Sequence, residues 1–347
     1  MIVYQLKKYF LRILGFIIKK LDYPLYLAKK NTSNKWKKKY GGEFRIGMDD
    51  PVLSILFDIT SRCNYNCEYC SSSQVRNKKR HILRCRDAFQ YYSVEKWVEA
   101  FRLVEFEYTL TISGGELFVL GENFHNFLKG VAALDNVKLI TICTNGALIT
   151  KMEQLDEKVR EKTTLMVSYH PTQISKESYV EAIDDVCCRG WHIGMFVYVM
   201  EANQVDQYED AKKMLTDRYA VGLLANPDVK NNCKQQKLKA CGKYISRKDL
   251  FQKVGSTTFG KFCFFPAIAY ELSATGIAYR GCTGKGKTNF IHNSKSLYPL
   301  KRPVPCPLPV CYCLNKYAFL EDFSERGREL DLVGEYAKKE KNIVNEM

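Results

Sequence analysis

The feature that most constrains the fold of this chain is a regular alternation of strand-like and helix-like segments between residues 52 and 225. Six short segments are rich in β-branched and aromatic residues, and stretches with helical spacing lie between them. These six segments are Val52–Ile59, Tyr108–Ser113, Lys138–Thr144, Thr164–His170, Ile193–Met200 and Ala220–Ala225. The alternation predicts right-handed βαβ units in a parallel sheet. Because a closed eight-stranded barrel takes about 250 residues, six units predict an open, partial (β/α)6 barrel.

Helices are predicted between these strands from apolar residues at helical spacing and from capping residues. One begins at Ser93, and the others are Glu122–Leu134, Lys151–Glu161, Lys176–Arg189 and Gln207–Arg218. In parallel α/β folds the functional groups collect at the carboxyl ends of the strands. We therefore expect the residues that directly follow each strand to form the functional site.

The positive charge of the chain is concentrated at its N-terminus. The net charge of the 347 residues is +15, and residues 1–45 carry twelve basic and two acidic side chains, which leaves +5 for the rest. A body that is only mildly basic argues against a nucleic-acid partner. Residues 1–45 are predicted to form a basic amphipathic leader and a linker. Such a leader can lie on an anionic membrane surface or pack as a solvated helix on the protein.

Three cysteines follow the first predicted strand in a C-x3-C-x2-C arrangement, namely Cys63, Cys67 and Cys70. Soft sulfur ligands select iron–sulfur clusters, zinc or copper(I). A [4Fe–4S] cluster normally takes four cysteines, so three would leave one iron open for a ligand. A zinc site completed by a fourth residue such as His81 is the structural alternative.

The next three strand ends also carry polar groups. Ser113-Gly114-Gly115-Glu116 follows the second strand, where paired glycines allow close backbone approach and the carboxylate can receive an ammonium group. Thr144-Asn145-Gly146 follows the third strand, and Ser168-Tyr169-His170 ends the fourth. Four consecutive strand ends are therefore expected to contribute to one site.

Taken together, these motifs resemble those of radical S-adenosylmethionine (SAM) enzymes over about residues 50–225. The resemblance is carried by the cysteine triplet, the Gly-Gly-Glu segment and the polar ends of the third and fourth strands. It implies a TIM-like partial barrel in which Cys63, Cys67 and Cys70 hold a [4Fe–4S] cluster whose open iron binds SAM. The residues that it implies for SAM binding are Tyr69, Gly114, Gly115, Glu116, Asn145, Ser168 and His170.

The resemblance also implies a reaction. Reductive cleavage of SAM gives methionine and a 5′-deoxyadenosyl radical, which abstracts a hydrogen atom from the substrate. We expect oxidation, epimerisation or another modification of a sugar or glycan precursor, with a reduced flavodoxin or ferredoxin-type protein as electron donor. The alternatives are a peptide- or protein-modifying maturase, a group-transfer or carbon–carbon bond-forming enzyme, and a non-catalytic iron–sulfur electron-transfer protein.

A second group of cysteines lies in the last third of the chain. Cys263 and Cys282 flank a predicted hairpin over residues 264–281, and a proline-stiffened segment carries Cys306, Cys311 and Cys313. This pattern resembles the SPASM or twitch extensions of radical SAM enzymes, which implies an auxiliary [4Fe–4S] cluster held by Cys263, Cys282 and two of the other three. Structural zinc is the alternative.

These observations predict three parts: the leader and linker at 1–45, a radical SAM partial barrel at 46–230, and a cysteine-rich auxiliary-cluster domain with a C-terminal helix at 231–347. Because low-potential clusters need reduced cysteines, we expect the chain to be cytoplasmic. If the leader binds a membrane, it should do so peripherally at the inner face.

Overall fold

A computed structural model describes residues 52–67, 70, 87–200, 215, 223–227, 262–263, 265–281, 285–300 and 304–305. Several predictions concern residues outside this set. They are the leader 1–45, His81, the helix Gln207–Arg218 apart from Leu215, and the site residues Tyr69, Cys282, Cys306, Cys311 and Cys313.

The predicted parallel sheet is confirmed, with six strands that lie side by side in chain order. They are β1 (Leu53–Thr60), β2 (Tyr108–Gly114), β3 (Val137–Thr144), β4 (Thr163–Tyr169), β5 (His192–Met200) and β6 (Leu223–Pro227). Each neighbouring pair is parallel. Among the described strands β6 pairs only with β5, so the sheet is open at that edge, as the partial barrel requires.

Besides the 3-10 helices at Leu117–Leu120 and Ile149–Gln154, five α-helices lie between these strands in the described part of the chain. They are α1 (Ala88–Tyr91), α2 (Val94–Arg102), α3 (Glu122–Ala132), α4 (Glu157–Glu161) and α5 (Lys176–Cys188). Ser93 caps α2 and Ser175 caps α5, each by accepting a hydrogen bond from a backbone amide of the first turn.

The single helix predicted over Lys151–Glu161 is wrong. The structure has a 3-10 helix at Ile149–Gln154 followed by the separate helix α4. Asp156 explains the break, because its extended backbone (φ −75°, ψ 169°) and its side-chain hydrogen bond from the Val159 amide start a new helix at that point.

The hydrophobic core lies between the sheet and helices α2 and α3. Alternate residues of β1 (Leu53, Ile55, Phe57 and Ile59) are fully buried. The Phe57 ring lies 4.6 Å from the ring of Trp97 and 5.9 Å from that of Phe127, measured between centroids. Since side chains alternate along a strand, the remaining positions of β1 lie on the opposite, inner face of the sheet.

The described C-terminal elements are β7 (Phe262–Cys263), α6 (Phe265–Ile268), β8 (Ala269–Ser273), β9 (Ile277–Arg280), β10 (Lys285–Asn289), α7 (Phe290–Asn293) and β11 (Val304–Pro305). Three of these strands, β8 to β10, continue the same sheet, whereas β7 and β11 form a separate two-stranded sheet. The predicted hairpin is confirmed as the antiparallel pair β8–β9, with Gly276 in its turn at φ 79°. β8 then pairs in parallel with β1.

One sheet therefore crosses the predicted domain boundary at residue 230, in the order β10-β9-β8-β1-β2-β3-β4-β5-β6. The core crosses it too, because the buried Phe290 ring of α7 lies 4.8 Å from the ring of Phe101 in α2. Within the described ranges, no helix is both long enough and apolar enough to cross a membrane.

Candidate functional site

The polar segments predicted to form a site lie at one edge of the sheet, because β1 to β4 are parallel neighbours. The loop that begins with Cys63 follows β1, and Gly114-Gly115-Glu116 lies at the end of β2. Thr144 and Asn145 lie at the end of β3, and His170 directly follows β4. Ser168 occupies the penultimate position of β4, opposite Val197 of β5.

The two glycines allow the end of β2 to lie directly against the backbone that leads into the cysteine loop. The Gly115 amide donates to the Thr60 carbonyl at 2.7 Å, and the Glu116 amide donates to the Arg62 carbonyl at 2.7 Å. A Cβ atom on Gly114 would collide with the Thr60 carbonyl oxygen, and one on Gly115 with the Arg62 carbonyl oxygen. Gly114 also has a φ of 151°. Glycine is thus required at both positions, because the end of β2 lies in direct contact with the backbone of Thr60 and Arg62.

The Glu116 carboxylate is fully buried and is bound by groups of its own chain. It accepts hydrogen bonds from the Thr144 hydroxyl at 3.0 Å, from the Asn145 amide at 2.8 Å and from the Phe118 amide at 3.2 Å. Burial raises the pKa of Glu116, and these hydrogen bonds partly oppose that shift. The predicted role of Glu116 in SAM binding stays a prediction, and its observed contacts tie β2 to β3.

Asn145 contacts the cysteine loop. Its Nδ2 donates to Asn64 Oδ1 at 2.8 Å and lies 3.7 Å from Sγ of Cys63, while its Oδ1 accepts from the Ala147 amide at 3.0 Å. Asn145 is buried. The predicted role of Asn145 in SAM binding stays a prediction, and its observed contacts position the first cysteine.

His170 contacts the second cysteine. Its Nδ1 lies 3.8 Å from Sγ of Cys67, and its ring packs edge-on against Tyr65, with 5.7 Å between centroids. Burial lowers the pKa of His170 to about 4, so its imidazole is neutral at pH 7. Burial, reinforced by the negative charge of Glu116, raises the pKa of Tyr65 to about 12, so the phenol keeps its proton.

The three cysteines of the loop have different surroundings. Cys67 is buried, whereas Cys63 and Cys70 are partly exposed. The Tyr65 amide donates to Sγ of Cys63 at 3.4 Å, and the Cys70 amide donates to the Cys67 carbonyl at 3.2 Å, which makes a tight turn. In the part of the chain that is described, no three His, Cys, Asp or Glu side chains stand close enough together to hold a metal ion.

The donor set nevertheless fits an iron–sulfur cluster by its chemistry. Three thiols lie on one short loop, and side-chain nitrogen atoms of Asn145 and His170 contact two of the sulfurs. Such contacts are the usual support for thiolate ligands of a cluster. The ligand roles of Cys63, Cys67 and Cys70 stay predictions.

The second cysteine group is described only at Cys263. Cys263 is buried in β7 and pairs with Val304 of β11, which lies two residues before Cys306. Gly281, directly before Cys282, lies against Pro266, so that an added Cβ would lie 3.0 Å from the Pro266 Cα. The chain segments that lead to Cys282 and to Cys306 therefore both approach the Cys263 segment.

Sequence reasoning missed the residues that hold the entrance to the cysteine loop. Arg62 forms an ion pair with Asp87, with 3.3 Å between Nη1 and Oδ2, and Asp87 also caps α1. The Asn66 amide donates to Oε1 of Gln173 at 3.4 Å. The capping position of Asp87 before a short helix was a usable signal, whereas nothing in the sequence marks Gln173.

No protein-family model matches the chain. A curated relative, the radical SAM cyclopropyl synthase TigE of Paramaledivibacter caminithermalis, is 28% identical over 116 residues, which cover 30% of this chain and 25% of the relative. The match thus spans about a quarter of the length of that relative. It confirms the predicted resemblance to radical SAM enzymes at the level of the superfamily.

Three solved structures are similar in chain path. The first is a polyhistidine-tagged anSMEcpe with bound AdoMet, with a TM-score of 0.46 and 14% identity over 70% of this chain and 76% of that one. The second, selenomethionine BtrN in an open conformation, has a TM-score of 0.36 and 14% identity over 80% and 99%. The third, BtrN in complex with AdoMet and 2-DOIA, has a TM-score of 0.34 and 16% identity over 72% and 84%.

The buried Glu116 carboxylate generates a test by substitution. Glu116→Gln replaces one acceptor oxygen by an NH2 group that faces backbone donors, so we expect the free energy of unfolding to fall by about 1–3 kcal/mol. Urea denaturation of the cluster-free protein measures this loss. Glu181→Gln, at an exposed position of α5, is the matched control and should leave stability unchanged. Equal urea midpoints for Glu116→Gln and the unsubstituted protein would contradict the conclusion that the Glu116 carboxylate stabilises the protein by joining β2 to β3.

Proposed function

We propose that this chain is a radical SAM enzyme that acts on a sugar or glycan precursor. The observation that carries the proposal is the close contact of the Gly-Gly-Glu segment with the backbone that enters a loop of three cysteines. When bound, the cluster and SAM supply one-electron chemistry that releases methionine and a 5′-deoxyadenosyl radical for hydrogen-atom abstraction.

In this proposal each part of the site has a distinct task. Cys63, Cys67 and Cys70 each ligate one iron, which leaves the fourth iron for the amino and carboxylate groups of SAM. The Gly114-Gly115-Glu116 segment meets the amino group of SAM, while the Glu116 carboxylate also ties β2 to β3. Ser168, Asn145 and Tyr69 are proposed to contact SAM as well.

The inner face of the sheet supports a hydroxyl-rich substrate. The strand register aligns rows of side chains on the face that points away from the hydrophobic core. Eight polar residues on this face are at least partly exposed, and the face also carries Leu56, Leu139, Cys143 and Met166; the polar residues are Ser54, Asp58, Thr109, Thr111, Ser113, Thr141, Thr164 and Ser168. Hydroxyl and carboxylate groups at fixed positions can hydrogen-bond the hydroxyl groups of a polyol.

The proposed auxiliary [4Fe–4S] cluster is held by Cys263, Cys282 and two of Cys306, Cys311 and Cys313. It is supported by the pairing of Cys263 with Val304 and by the contact of Gly281 with Pro266, which draw three cysteine-bearing segments together. The continuous sheet through β8 and β1 supports a location beside the barrel. Structural zinc at the same cysteines is the competing proposal.

The setting of the enzyme follows from this chemistry. One-electron reduction of the cluster needs a low-potential donor, which we propose to be a reduced flavodoxin or ferredoxin-type protein in the cytoplasm. The basic leader at 1–45 is proposed to contact anionic membrane at its inner face.

A second candidate outcome is carbon–carbon bond formation on a peptide or a small molecule. The name of the curated relative, a cyclopropyl synthase, favours it, because closing a carbocycle requires such a bond. The first steps and the site residues are the same in both candidates, so the substrate and the final bond change separate them.

The proposed function predicts SAM cleavage that depends on one cysteine group and not on the other. Reduced, reconstituted protein should release 5′-deoxyadenosine from SAM, and Cys67→Ala should abolish this release. Cys263→Ala should keep it, because the auxiliary cluster does not bind SAM. Iron content should be about eight per chain, falling to about four in each variant.

Chromatography of the nucleoside products and iron and zinc determination give both readouts. If the reduced protein forms no 5′-deoxyadenosine, the radical SAM proposal is wrong. About four irons with bound zinc would instead overturn only the auxiliary cluster.

The substrate proposal predicts hydrogen transfer from a sugar carbon. Carbon-deuterated sugar and aminocyclitol precursors are incubated with enzyme, SAM and reductant, and the 5′-deoxyadenosine is analysed by mass spectrometry. We expect deuterium in the 5′-deoxyadenosine from at least one of these substrates. Enrichment only from deuterated peptides would contradict the sugar proposal in favour of the peptide-modifying alternative.

A further inference from the structure

We propose that His170 is a positioning residue that donates a hydrogen bond from Nδ1 to Sγ of Cys67 and raises the reduction potential of the cluster held there. This inference rests on the proposed function, because it concerns the cluster on Cys63, Cys67 and Cys70. It assigns to His170 a contact with a ligand sulfur in place of the predicted contact with SAM.

The position of the imidazole is fixed from two sides. The His170 carbonyl accepts hydrogen bonds from the Gln173 amide at 2.9 Å and from the Ile174 amide at 3.2 Å, which closes a turn directly after β4. On its other side the ring packs edge-on against Tyr65. The separation of 3.8 Å between Nδ1 and Sγ of Cys67 is therefore set by the fold around it.

The chemistry of a ligating cysteine determines which atom donates. A thiolate bound to iron has no proton, so its sulfur can only accept a hydrogen bond. Because the Nδ1 atom faces a sulfur that can only accept, the contact selects the imidazole form with a proton on Nδ1. The hydrogen bond then draws electron density from the sulfur and favours the reduced, more negative cluster.

The turn after β4 also supplies a matched control. Gln173 contacts the same loop through Oε1, which accepts from the Asn66 amide at 3.4 Å. Gln173→Ala removes a contact between the turn and the loop without removing a donor to sulfur. A purely structural effect of the turn on the loop would appear in this variant as well.

The test compares midpoint potentials of the reconstituted full chain and its variants in an anaerobic redox titration followed by EPR. The signal that changes when SAM is added is assigned to the cluster on Cys67. His170→Phe keeps a ring but has no donor, and we expect its reduced-to-oxidised ratio at a fixed potential to fall several-fold. A tenfold fall corresponds to about 59 mV for one electron.

Two further variants separate the donor from the shape of the side chain. His170→Asn places an amide nitrogen near the position of Nδ1, so its ratio should return to within about twofold of the unsubstituted protein. Gln173→Ala should leave the ratio unchanged. If His170→Phe does not load iron, His170→Leu takes its place, because leucine has no hydrogen-bond donor. The same several-fold fall is expected.

The inference is overturned if removal of the donor leaves the potential unchanged, if Gln173→Ala shifts it equally, or if His170→Asn does not restore it. Failure of the proposed function looks different, because no EPR signal of the unsubstituted protein would then respond to SAM.

Discussion

The site depends above all on the contact between two backbones at the edge of the sheet. Gly114 and Gly115 let the end of β2 lie against Thr60 and Arg62, and no side chain fits between them. The end of β2 therefore fixes the path along which the cysteine loop leaves β1. The Glu116 carboxylate connects this contact to β3, because it accepts hydrogen bonds from the Thr144 hydroxyl and the Asn145 amide. The same short segment thus fixes the loop and joins three strand ends.

The C-terminal extension is joined to the barrel through hydrogen bonds as well as packing. β8 pairs with β1, the strand that leads into the cysteine loop, and Phe290 packs against Phe101 of α2. A change in the position of β8 would consequently change the position of β1, because the two strands are hydrogen-bonded. This arrangement joins the extension, to which we assign the proposed auxiliary cluster, to the strand that leads into the first site.

Much of the fold could be predicted because apolar residues alternate strongly in β1 to β4 and Ser93 and Ser175 are clear helix caps. The break before Asp156 was missed, since local capping there interrupts a continuous helical pattern. Motif spacing singled out Glu116 and His170, whose roles in SAM binding stay predictions. It could not assign their contacts, because the burial of Glu116 and the distance from His170 to Cys67 are set by strand register.

The central claim is that the open iron of the cluster on Cys63, Cys67 and Cys70 binds the amino and carboxylate groups of SAM. Electron–nuclear double resonance of the reduced protein, with SAM labelled by 15N in the amino group and 17O in the carboxylate, measures this contact directly. The account predicts hyperfine coupling from both labels to the cluster. A reduced cluster that shows coupling to neither label with SAM in excess would contradict it.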